Sequence, residues 1–104
     1  MYEPIIDILA YLGSQRDYSY IDRLGNAIDE ISIMEAVRDA VRSFYTLCEK
    51  PESNCPSIDP QELEKSINAL VATINTKPRD QIVKLARELS LRAYAKIRYS
   101  VTSQ

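Results

Sequence analysis

Histidine and tryptophan are absent from this 104-residue chain, glycine occurs twice and phenylalanine once. Without histidine the commonest general base and a principal metal ligand are both missing, so catalysis would have to run on carboxylates, tyrosines or cysteines. Most of the acids stand at helix starts or on solvated faces, where capping and solubility are their usual roles. The pattern predicts a protein that is not an enzyme, with no cofactor, no bound metal and no small-molecule substrate. Two glycines leave little material for tight hairpins, which disfavours a sheet. No run approaches the ~20 apolar residues that span a bilayer, and the opening Met-Tyr-Glu-Pro lacks the basic region of a signal peptide, so a cytoplasmic protein without membrane association is expected. The two cysteines, Cys48 and Cys55, cannot supply the four ligands of a zinc site. They read either as a buried Cys48 with an incidental Cys55, or as a disulfide closing the turn-rich loop between them.

What is present is ordinary globular material: 45% hydrophobic and 27% charged residues, enough for one modest core. The apolar spacing is helical throughout, which predicts an all-α, compact bundle of about five helices forming a single domain over residues 1–104. Pro4 opens the first helix, with Ile5, Ile8, Leu9 and Leu12 on one face; Gly13-Ser14-Gln15 reads as its terminator. Asp17 and Ser19 are candidate caps for a short second helix carrying Ile21, Leu24 and Ile28, and Gly25 within it suggests a close helix crossing or a bend. Tyr2, Tyr11, Tyr18 and Tyr20 crowd this part of the chain, as core edges or as an interface. Ser32 and Glu35 have the spacing of a capping box for the third helix, whose inner stripe is Met34, Val37, Val41, Phe44 and Cys48. A proline-containing loop follows. Asp59-Pro60-Gln61-Glu62 starts the fourth helix, with Leu63, Ile67, Leu70, Val71 and Ile74 on its buried face, and Asn75-Thr76-Lys77-Pro78 ends it. Met34, Val37, Val41, Phe44, Ile67, Leu70, Leu85 and Leu89 are expected in the core.

The longest amphipathic run, Lys77 to Val101, is also the only strongly basic one, and the chain is expected to be organised around it. Ile82, Leu85, Ala86, Leu89, Ala93 and Ile97 share one helical face. Lys84, Arg87, Leu91, Tyr94 and Arg98 form a second stripe, a track of cations around an apolar-aromatic patch that suits a phosphate backbone. From Lys77 to Gln104 seven bases stand against two acids, whereas the whole chain carries −2. The competing reading is that cations gather at a helix's negative pole and their stems cover apolar surface. Arg92 and Lys96 on the same helix, and Arg38 and Arg42 on the third, are further candidate nucleic-acid contacts. Glu35 and Asp39 lie three residues before those two arginines, so intrahelical ion pairs are the favoured expectation for Arg38 and Arg42.

The run Tyr18-Ser-Tyr-Ile-Asp-Arg-Leu-Gly-Asn-Ala-Ile28, following an apolar first helix, resembles the small subunit of archaeal type I-A CRISPR interference complexes. The resemblance implies a small helical protein without nuclease activity. It also implies several stacked copies that join other subunits of the ribonucleoprotein and help hold the guide-paired target DNA and the displaced strand. Sequence reading in such complexes is delegated to base pairing between guide RNA and target, so backbone-directed cations would suffice. No functional residue carries over individually from the matched run. Two alternatives remain: a helical adaptor binding only proteins, and a helix-turn-helix regulator using Leu12 to Ile28. The second helix of the latter bears only Arg23 and is acidic nearby, which argues against groove entry.

Overall fold

The computed structural model describes the backbone of residues 1–102 and the side chains of residues 1–98. Five helices follow one another: α1 (Glu3–Ser14), α2 (Ser19–Gly25), α3 (Glu30–Cys48), α4 (Pro60–Thr76) and α5 (Arg79–Thr102). They make an all-α compact globule with no strand among the described residues.

The central element is α1, not the long basic helix. Ile5, Ile6, Ile8, Leu9 and Leu12 are all essentially buried, and they point in too many directions to occupy one stripe. A helix apolar on most of its circumference must be covered on most sides, and α1 packs against each of the other four. Its most extensive partner is α5, which offers Ile82, Ala86, Leu89 and Ala93 as a buried stripe. The small residues on that stripe let the two helices approach closely. Gly13 belongs to this contact and is not the helix terminator: it lies inside α1, and a Cβ there would overlap the tip of Ile97 and stand 3.0 Å from the tip of Ile21. The terminator is Arg16, at φ 68°. The Arg16 amide donates to the Gly13 carbonyl and the Asp17 amide to the Leu12 carbonyl, the paired bonds of a Schellman turn.

Asp17 then orders the start of α2 by accepting from both the amide and the hydroxyl of Ser19. The short α2 wedges between α3 and α5 with Ile21 and Leu24 buried. Its final Gly25 permits the crossing with α5, since a Cβ there would sit 2.6 Å from the Ser90 hydroxyl. Ile28 is not part of α2; it lies in the linker to α3 and is 74% exposed. The cap of α3 also falls three residues earlier than the Ser32–Glu35 spacing suggests. Asp29 is the N-cap, its carboxylate accepting from the Ser32 amide at 2.8 Å, while the Ser32 hydroxyl accepts from the Asp29 amide. The Ser32 amide, and after it the Ser32 side chain, hold the Asp29 carboxyl below the usual carboxylate range. At α4 the Asp59 carboxylate accepts from the Gln61 amide, and Lys77 leaves the helix in extended geometry before Pro78.

Of the residues expected in the core, Val37, Phe44, Leu70 and Leu89 are buried, whereas Met34, Val41, Ile67 and Leu85 are only half-buried. For Met34, Val41 and Ile67 the reason is topological. Both α3 and α4 rest on α1 without packing substantially on each other, which leaves an apolar groove of about 360 Å³ lined by Met34, Val37, Arg38, Val41 and Ile67. Val71, assigned to the buried face of α4, is exposed, and the inner stripe there is completed by Ser66, which donates to the Met1 carbonyl at 2.7 Å. The tyrosines do not form one patch. Tyr2 bonds Thr73 of α4, Tyr11 packs edge-on to Phe44 of α3, Tyr20 bonds Ser43 of α3, and Tyr18 stacks on Tyr94 of α5. Cys48 and Cys55 form a disulfide that fastens the loop to the end of α3.

Candidate nucleic-acid interface

The outer face of α5 is set by the inner one: with Ile82, Ala86, Leu89 and Ala93 turned to the core, Lys84, Arg87 and Leu91 face solvent. Lys84 and Arg87 lie three residues apart, neighbours on the helix surface, and neither makes an ion pair or side-chain hydrogen bond with another described residue. Leu91 follows at 63% exposure, and Arg98 is exposed farther along. Beside Arg87 a cleft of about 270 Å³ opens between α2 and α5, bounded by Asp22, Gly25, Asn26, Ser90 and Leu91.

The other cations of α5 are turned elsewhere. Arg92 is bonded to Glu3, and Lys96 to Asp7 with Glu3 at 3.9 Å, so both bridge α5 to α1. Arg79 pairs with Glu30 at 3.3 Å. Helical phase explains the division: Arg92 and Lys96 sit on the flank of α5 that meets α1, whereas Lys84 and Arg87 sit away from it.

Tyr94 is half-buried. Its hydroxyl donates to the Asp22 carboxylate, and its ring stacks on Tyr18 with centroids 6.0 Å apart and planes 21° from parallel. The bond to Asp22 and then burial push the phenol up to about 12, because ionisation would place two anions side by side. Tyr18, at 43% exposure, is therefore the more open ring of the pair. Its position before α2 gives no helical stripe to read, and the sequence offers it only as one of the four tyrosines crowded near the N-terminus.

On α3 the expected intrahelical pairs do not form. Asp39 is taken by Arg23 of α2 at 2.9 Å, and Glu35 has no cationic partner among the described residues. Arg38 and Arg42 are left exposed without a carboxylate partner among the described residues, on a different helix from Lys84 and Arg87. The pairing of Arg23 with Asp39, on a helix of only 7 residues, gives no support to groove reading by α2. Among the described residues, no three His, Cys, Asp or Glu side chains lie close enough to hold a metal ion, and no helix is long and apolar enough to cross a membrane. No family model, curated protein or solved structure matches this chain.

Proposed function

We propose that this chain is a non-catalytic small subunit of a type I-A CRISPR interference complex, working in the cytoplasm and contacting target DNA or the displaced strand through its backbone. The observation that carries the reading is the separation of cations on α5. Arg79, Arg92 and Lys96 are paired with carboxylates of α1 and α3, whereas Lys84 and Arg87 project from an exposed turn with no partner among the described residues. Two cations one turn apart suit two backbone phosphates, and they carry no sequence information. A net charge of −2 fits a subunit that meets nucleic acid inside a larger assembly better than one that binds it alone. The resemblance over Tyr18 to Ile28 supplies the particular assembly.

The test is reconstitution of the effector complex with Lys84→Glu/Arg87→Glu protein, with Arg98→Glu as a third change. Target binding should weaken alike for unrelated sequences. The salt dependence should flatten by roughly 0.9 per lost duplex contact, or 0.7 on a single strand. Unaltered DNA engagement by the variant complex, or by a complex lacking the subunit, overturns the proposal. The adaptor reading draws on the α3–α4 groove, which is apolar and open to solvent; binding of a protein partner with no DNA effect of the α5 reversals would favour it.

A further inference from the structure

The outer surface of α3 carries a pattern that the fold of one copy covers only in part. Ile31, Met34, Arg38, Val41 and Tyr45 recur at steps of three and four, the spacing of a coiled-coil seam. This stripe is distinct from Ile33, Val37, Ala40 and Phe44, which face the core. Ile31 is 68% exposed, Tyr45 is also exposed, and Met34, Arg38 and Val41 border the groove beside α4. Beside the seam stand Glu35 and Arg42, one heptad apart and of opposite sign. Neither has an ionic partner among the described residues, and Arg23 occupies Asp39, the carboxylate three residues before Arg42.

We infer that α3 pairs antiparallel with α3 of a second copy, each helix entering the α3–α4 groove of the other, with Glu35 of each copy opposite Arg42 of its mate. The charge pattern selects the second copy as occupant. An antiparallel two-helix seam brings each flanking position against its equivalent on the other helix, running in reverse. A glutamate and an arginine seven residues apart are then self-complementary twice over, as a two-fold contact requires. In that register Met34 lies across from Tyr45, and Arg38 across from Val41. The Arg38 stem covers the apolar seam while its guanidinium reaches the rim, and a single polar seam residue fixes alignment. The contact lies on a different helix from the α5 cations. It closes on two copies, so it goes beyond the stacked copies that the resemblance implies and does not depend on nucleic acid.

Sedimentation equilibrium of the full chain without nucleic acid tests it. Wild-type protein should show a concentration-dependent two-copy mass. Glu35→Arg alone and Arg42→Glu alone should each raise the dissociation constant about tenfold, since two exposed pairs turn from attraction to repulsion. An equimolar mixture of the two variants should associate again, because one copy then presents only arginines and the other only glutamates. Ile31→Asp, at an exposed site, should abolish the two-copy mass while leaving the helical circular dichroism of the monomer intact. Wild-type protein that stays monomeric, single variants that associate like wild type, or a mixture that remains monomeric would each overturn the inference. None of those results bears on DNA engagement by the reconstituted complex, so the two proposals fail separately.

Discussion

Arg92 on α5 is bonded to Glu3 on α1, joining positions 89 residues apart. The pair is partly exposed, so its worth is at most about 1 kcal/mol. Arg92→Ala should therefore lower the melting temperature by no more than about 4–8 °C, the shift that ~1 kcal/mol gives for a domain near this size. The same substitution should weaken nucleic-acid association less than Arg87→Ala does. Reversing both partners, Glu3→Arg with Arg92→Glu, should recover most of the lost stability. Thermal melts alongside DNA titrations of the reconstituted complex separate the two roles, and a larger binding loss from Arg92→Ala would assign the interface to the α1–α5 flank.

Gly13→Ala should destabilise the protein by about 1 kcal/mol. The added methyl gains ~0.5–1 kcal/mol of helix propensity. Forcing it against Ile97 and Ile21 costs ~1–3 kcal/mol. Ile97→Val removes the atom in the way. The double variant should therefore lose less than the sum of the single losses, by at least ~0.5 kcal/mol in a denaturant-based cycle. A Gly13→Ala protein as stable as wild type would mean that α1 and α5 separate without cost.

One tyrosine, Tyr94, should titrate at about pH 12 in ultraviolet difference spectra. Its folded value lies above that of an unfolded phenol near ~10, so the bond to Asp22 adds stability that is fully present below that pH. The contribution is lost as pH rises through the folded value. Asp22→Ala should bring the titration down toward the ordinary phenol range. A spectrum unchanged by that substitution would show that burial, and not the hydrogen bond, holds the proton.

The inner stripe of α5 was legible because Ile82, Ala86, Leu89 and Ala93 keep strict helical spacing, and any burial of that helix must use them. The start of α3 was less so. Asp29–Ser32 and Ser32–Glu35 are overlapping capping patterns, and only the backbone reveals that Ser32 donates its amide to Asp29 instead of capping the helix itself. Met34, Val41 and Ile67 carry the same periodic signal as true core residues, because periodicity reports which face is apolar and not whether a neighbour covers it. The fate of the cations was hidden for a related reason. Whether Arg92 meets Glu3, or Asp39 meets Arg23 instead of Arg42, depends on which helices become neighbours. Local spacing favours i,i+3 partners that are worth only ~0.2–0.5 kcal/mol and yield readily to a better placed rival.

The reliance of α1 on α5 also governs how the molecule can be made. Ribosomal synthesis delivers α1 first and its main cover last, so Ile5, Leu9 and Leu12 must wait through more than sixty residues of chain before Ile82 and Leu89 arrive. Until then α2, α3 and α4 can cover only the other sides of α1. Closure of the core is thus a late, non-local event whose loop entropy slows folding relative to a simple up-and-down bundle. A nascent chain paused before α5 presents the α5-facing side of α1 to whatever chaperone or sister chain is nearby.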